Sequence, residues 1–250
     1  MIGDYLKSPE YYKKKHVDKL IPPHETSQMQ LGSAVDCIVT EGMSEFNKRY
    51  ALKVLKRDAP ELFEENKSSN KVILSEENWL KAGKMAEVAM RQPAYQWLVK
   101  NKCVMQPILQ GEIDGIKVKG RPDFLTVIGD TAYIDDLKTT SSVNEKKYMF
   151  HSFEFGYFRQ ACMYKELVLQ SYPAVRLVVN RHLVITRGTD IYDVEVFLLD
   201  GNRVNKEMIT IKLVLEQIKR ENFEPKLRKW EDARVIGTEK QFGEYELLEL

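Results

Sequence analysis

The chain has 250 residues, with 38 basic and 37 acidic side chains and a net charge of +1. That balance excludes a uniformly basic nucleic-acid binder and leaves room only for local basic patches beside an acidic pocket. No stretch approaches the roughly eighteen apolar residues of a membrane span. Met1 to Lys15 lacks the apolar core of a secretory signal, and three scattered cysteines (Cys37, Cys103, Cys162) suit a reducing cytoplasm.

At 43% hydrophobic content a sizeable core is affordable, and a single α/β domain over 1–250 is expected. Its parts are a mostly helical stretch over 1–100, an α/β core over 104–200, and a C-terminal helix and tail over 201–250. Residues 4–18 read as helix, with Tyr5, Tyr11 and Tyr12 among lysines, and Pro22-Pro23 ends it. The tyrosines and lysines could meet bases and phosphates, but packing of the rings on the core is the plainer reading. Thr26 or Ser27 caps a second helix over 28–41. Residues 44–70 are polar and charged, an excursion without a clear element. Ser75-Glu76-Glu77-Asn78 carries an N-cap and an acidic first turn, and the helix it opens runs through Met85, Val88 and Ala89 to Pro93. A short helix follows over 94–100.

Strands begin near Val104. Residues 104–113, 116–127 and 131–138 read as an antiparallel meander, with Asp114-Gly115 and Gly129-Asp130 as its turns. Helix is expected over 152–170, strands over 175–186 and 191–198, and a last helix over 202–221 with Ile209, Leu213, Val214 and Ile218 as its apolar stripe. A strand–helix–strand crossover of that length permits parallel pairing of 131–138 with 175–186. The fold class is therefore α/β, a mixed central sheet with an antiparallel hairpin core flanked by helices.

The second hairpin carries the chemistry. If Gly129-Asp130 is the whole loop, Ile128 pairs with Thr131, and counting outward sets Asp123 opposite Asp136 and Arg121 opposite Lys138. Paired residues share a face with Cβ atoms roughly 5 Å apart, and alternate residues share it too. Asp123, Asp136 and Lys138 thus converge, while Asp135 and Leu137 point away. Like charges facing each other destabilise a sheet unless compensated. Lys138 offsets part of the charge, and a hard cation such as Mg²⁺ or Mn²⁺ would offset the rest. A solvated hairpin end with clustered acids is the bland alternative. Glu112 lies opposite Lys117 and too far along the strand to join the set. His16, His24, His151 and His182 lack the spacing of a zinc site, and three cysteines fall short of the four of an iron–sulfur cluster. The basic clusters Lys13-Lys14-Lys15, Lys146-Lys147 and Lys226–Arg234 are solvated faces or phosphate contacts.

Gly120-Arg121-Pro122-Asp123 followed by Asp136-Leu137-Lys138-Thr139-Thr140 resembles the core of the PD-(D/E)xK nuclease superfamily. Gln160-Ala161-Cys162-Met163-Tyr164, about twenty residues beyond the lysine, resembles the Gln-x-x-x-Tyr element of its RecB-like and RecE-like, phage-type exonuclease branch. The likeness covers roughly 104–200. It implies a restriction-endonuclease-like fold and a metal-dependent DNA exonuclease of phage or prophage recombination. Asp123, Asp136 and the Leu137 carbonyl would be metal ligands, Lys138 would act on the attacking water, and Gln160, Tyr164 and Arg121 would hold DNA. Where that branch often has a histidine ligand on an earlier helix, Leu31-Gly32-Ser33-Ala34-Val35-Asp36 offers Asp36, a ligand or an ordinary polar residue. The likeness further implies a single-strand annealing protein as partner and a homo-oligomer. The alternatives are an endonuclease of the same fold, a catalytically silent nucleic-acid-binding module, and a small-molecule or protein-binding domain whose hairpin acids are incidental.

Overall fold

In a computed structural model, residues 2–22, 25–188 and 191–223 are described. His24, most of the C-terminal tail and the basic cluster at 226–234 lie outside them. The N-terminal helical stretch is broken into α1 (Ile2–Lys7), α2 (Pro9–Tyr12) and a π-helical turn over Lys13–Val17. Tyr5 and Tyr12 are buried, as the packing reading expects. Helix α3 (Ser27–Glu41) is capped by Thr26, whose Oγ1 accepts from the Met29 N–H. The polar excursion is structured: α4 (Met43–Arg49), strand β1 (Tyr50–Leu52) and α5 (Pro60–Ser68) precede strand β2 (Val72–Leu74), which pairs with β1 in parallel. Ser75 caps α6 (Glu76–Arg91), and α7 (Pro93–Lys100) starts on its proline, where a missing N–H is no loss.

The expected meander divides into two sheets. Strands β4 (Leu109–Ile113) and β5 (Ile116–Gly120) form a hairpin of their own. The central sheet has the order β3-β6-β7-β8-β9, from β3 (Val104–Met105), β6 (Phe124–Ile128), β7 (Thr131–Thr140), β8 (Leu177–Thr186) and β9 (Val194–Leu198). Only β7 and β8 run parallel, so the sheet is mixed. The chain leaves the ladder between β5 and β6 because Pro122 has no N–H to give. Arg121 therefore does not pair with Lys138, contrary to the counted register.

The crossover from β7 to β8 is also two elements. Helix α8 (Glu145–Glu154) ends before Gly156, which takes φ 69°, and α9 (Tyr157–Ser171) starts afresh. That left-handed residue is open to glycine without a Cβ penalty. Helix α10 (Gly201–Arg220) closes the described part.

Strand alternation sorts the two faces of β7. Leu137 packs with α3, α6 and α7 around Leu31, Val35, Met85 and Phe124. Ala132 and Ile134 pack with Leu167 and Val168 of α9 on the other face. A third cluster joins α1, α9 and α10 under the β4–β5 hairpin, through Ile2, Phe158 and Ile211. The sheet is thus the middle of three layers. No described helix is long and apolar enough to cross a membrane.

Candidate active site

The register of β6 and β7 follows the hairpin count. Ile128 pairs with Thr131 and Phe124 with Asp135. Gly129 has φ 61° whereas Asp130 stays at negative φ, the pattern of a type II′ turn. Asp123 stands one residue outside this ladder and takes over its next bond. Its Oδ2 accepts the Leu137 N–H at 2.7 Å. A side chain thus replaces the strand that Pro122 ended, and it fixes the Asp123 carboxylate beside Asp136. This bond engages the Leu137 N–H and leaves its carbonyl, the ligand that the resemblance implies, a separate group.

Asp136 is buried, and Lys138 Nζ donates to its Oδ2 at 2.6 Å. Burial drives the Asp136 carboxyl upward, but the charge and hydrogen bond of the Lys138 ammonium outweigh it and hold Asp136 below its ordinary range. For Lys138 burial disfavours the charge, and the carboxylates of Asp136 and Asp123 more than offset that, so its ammonium is held above its usual range. Among the described residues Asp123 has no such cation within hydrogen-bond reach. Burial and the charges of Asp136 and Asp36 raise its carboxyl well above normal.

Asp36 approaches from α3. Gly32, one turn earlier, brings that helix against β7, since a Cβ there would stand 3.0 Å from Thr139 Oγ1. Asp36 Oδ2 accepts from Gln106 Nε2 at 3.1 Å, while its Oδ1 is buried with no hydrogen-bond partner. Burial first, and then the Asp136 charge, push it up to about 6. Gln106 also donates its backbone N–H to the Asp123 carbonyl at 2.8 Å, tying Asp36 and Asp123 to one short segment.

The Gln-x-x-x-Tyr pair lies on one face of α9. Gln160 Nε2 donates to Tyr164 Oη at 3.0 Å, and Tyr164 Oη donates to the Arg121 carbonyl at 3.1 Å. Burial raises the Tyr164 phenol to about 12, so it stays a donor. The pair therefore grips the Gly120–Asp123 segment from behind. Arg121 lines a cleft of about 790 Å³ that also takes in Gln160, Tyr164 and Tyr157.

Three participants were not singled out in the sequence. His182 on β8 sits beside Asp136 in the parallel ladder, and its Nδ1 lies 2.6 Å from Tyr148 Oη. Burial and the Lys138 charge lower the imidazole to about 3, so it is neutral. Tyr157 places its ring 5.1 Å from Lys138 Nζ. The trace in the sequence is a polar Asn180-Arg181-His182 run inside a strand that is apolar on either side. Asp135, expected to point away, does so. It holds Arg181 through two bonds of 2.7 and 2.9 Å, with the guanidinium against Trp97 and Tyr133. Glu112 pairs with Lys117 on β4–β5, away from this group.

Asp36, Asp123 and Asp136 with one ammonium leave an excess of negative charge in a buried place, and one carboxylate oxygen is without a partner. Oxygen donors of this kind fit a hard divalent cation. Among the described residues, however, no three His, Cys, Asp or Glu side chains gather closely enough to enclose an ion by themselves.

Residues 1–226 match the family of PDDEXK-like domains of unknown function (DUF3799). The chain belongs to that family. Its fold is a PD-(D/E)xK-like nuclease fold, and the crystal structure of a candidate exonuclease from Eubacterium rectale shares it. That structure superposes with a TM-score of 0.65 at 20% identity, over 92% of this chain and 82% of the other. The crystal structure of SSO0001 aligns over 82% of this chain and 86% of its own, at 14% identity and a TM-score of 0.28, too low to carry an argument. No curated protein matches the chain.

Proposed function

We propose that the protein is a metal-dependent deoxyribonuclease, an exonuclease of the RecB-like and RecE-like kind that processes DNA in phage or prophage recombination. The observation that carries this reading is the buried Lys138–Asp136 pair, set beside an Asp123 that lacks a cation of its own. Asp123 and Asp136 would hold Mg²⁺ or Mn²⁺, with Asp36 and the Leu137 carbonyl as further ligands. When bound, the metal supplies Lewis-acid chemistry, lowering the pKa of a water and neutralising phosphate charge.

The chain's own groups do the rest. Lys138 is an ammonium in this setting, so it donates and stabilises rather than accepting a proton. Its Nζ, held by Asp136, orients the attacking water and balances charge that develops on the phosphate. Tyr164 and Gln160 fix the backbone that positions Asp123, and the Arg121 guanidinium takes a neighbouring phosphate. Neutral His182, locked by Tyr148, packs beside Asp136 and keeps bulk water from its inner side.

The test is Mg²⁺-dependent degradation of linear DNA by purified protein. Asp123→Asn keeps an acceptor for the Leu137 N–H and removes the charge, and Lys138→Ala removes the ammonium; both should abolish turnover. Equal degradation by wild type and variants would sink the assignment. Closed circular DNA left intact supports an exonuclease, whereas its cleavage supports an endonuclease of the same fold. The competing reading is a silent nucleic-acid-binding module, favoured by the absence of an enclosed ligand set among the described residues. It predicts binding without turnover.

A further inference from the structure

We infer that the cleft between α1, the end of β5 and the α8–α9 corner receives an unpaired DNA strand, with Phe155 as the platform on which its bases stack. The inference rests on the nuclease reading and adds the strand state of the substrate and the surface that recognises it. The cleft holds about 790 Å³, the range of a small-ligand pocket. That is room for a few nucleotides of one strand and not for a duplex.

Its charge suits a polyanion. Lys7, Lys119 and Arg121 line it, and none of the three has an ion-pair partner among the described residues. Its acids are Asp4, already held by Lys15 and His16, and the exposed Glu154. The aromatic groups are placed in series. Phe155 is 61% exposed at the rim. Its ring stacks on Tyr157 with centroids 5.9 Å apart and planes 29° apart, and the Tyr157 ring in turn lies 5.1 Å from Lys138 Nζ. A strand running along that row would have its bases on the rings, its phosphates on the cations, and its leading end at Lys138. Stacking on aromatics combined with a basic groove is the general physics of single-strand binding. The ring also meets His151 edge-on with centroids 5.9 Å apart, and most of its area still stands in solvent at the mouth of a charged cleft.

A control is built into the helix. Phe150, on α8 five residues before Phe155, is 67% exposed but does not line the cleft. Binding of a fluorescent oligothymidylate and of a blunt duplex with the same label, measured by anisotropy in EDTA, tests the assignment. Wild type should prefer the single strand. Phe155→Ala should weaken it by about five- to 150-fold, the stacking of one base, and Phe155→Trp should restore it, whereas Phe150→Ala should bind like wild type. Lys7→Ala and Lys119→Ala together should reduce the slope of log affinity against log salt by about 1.4, at 0.7 per phosphate contact on a single strand. Equal affinity of Phe155→Ala and wild type, or equal binding of blunt duplex and single strand, overturns the inference. Mg²⁺-dependent cleavage with no effect of Phe155→Ala would remove the platform and leave the nuclease. Phe155-dependent binding with no cleavage would support the platform and remove the nuclease.

Discussion

The ring of Tyr164 lies across Gly120. A Cβ built on that glycine would stand 2.8 Å from both Cδ1 and Cε1 of the ring. The ring cannot easily move away, because its hydroxyl is bound to the Arg121 carbonyl and its other side is packed in the α9 layer. Gly120→Ala should therefore push α9 off the segment that carries Asp123. We expect a loss of about 1–3 kcal/mol by chemical denaturation, together with a larger fall in nuclease rate than in global stability. Wild-type activity in Gly120→Ala would show that Tyr164 shifts freely and positions nothing.

The hydroxyl can be removed without touching the ring. Tyr164→Phe deletes the bond to the Arg121 carbonyl and strands the Gln160 amide, at a net cost of about 0.5–1.5 kcal/mol. Gln160→Ala leaves the Tyr164–Arg121 bond in place and should cost less. If the two side chains act only by positioning Asp123, both variants should lower kcat at unchanged DNA affinity. A change confined to affinity would instead place them against the DNA.

The hairpin was legible because two independent rules agreed on one register. A two-residue turn with Gly first and a period of two set Asp123, Asp136 and Lys138 together and Asp135 apart. What failed was the inference of continuity. Residues 116–127 read as one strand, yet Pro122 cannot donate to a ladder, and the chain crosses from the β4–β5 hairpin to the central sheet there. The helix at 152–170 failed for a similar reason, since Gly156 breaks it in the left-handed region. His182 and Tyr148 were missed because their meeting is tertiary. They are 34 residues apart, and only the parallel β7–β8 register brings the imidazole beside Asp136. Asp36 was found through the family pattern, but its geometry depends on Gly32 lying against Thr139, which no local rule contains.

Asp36 gives a prediction in pH. Its carboxyl is raised to about 6 in the folded protein, above its unfolded value of roughly 3.9. The folded state thus binds the proton more tightly, and this group lowers metal-free stability as pH climbs from about 4 through 6. His182 acts oppositely, because its imidazole is lowered to about 3 and its contribution is lost as pH falls below its unfolded value. Comparing Asp36→Asn with wild type cancels the histidine. The variant should gain on wild type as pH rises from 4 to 7, reaching about 1–2 kcal/mol. Mg²⁺ should raise the melting temperature of wild type at pH 8 more than that of the variant. Parallel stability curves across this range would show that Asp36 is not strained by its neighbours.

The Lys138–Asp136 pair should behave as a unit. Both side chains are largely out of water, at 16% and 6% exposure, and the carboxylate depends on the ammonium to remain ionised. Lys138→Ala alone leaves an unpaired buried charge beside a second carboxylate, and breaking such a pair costs about 3–5 kcal/mol. Asp136→Asn alone leaves the ammonium with Asp123 as its remaining counter-charge, so it should cost less. Combining the two removes both charges and should recover part of the loss, giving a coupling energy of more than about 1 kcal/mol in a double-mutant cycle. Activity should not recover, because neither the proposed ligand nor the proposed ammonium is present. Additive stability losses would mean that the two groups are solvated separately. In that case Asp136 would not be held ionised by its neighbour, and Lys138 would lose its claim to a fixed position beside a scissile phosphate.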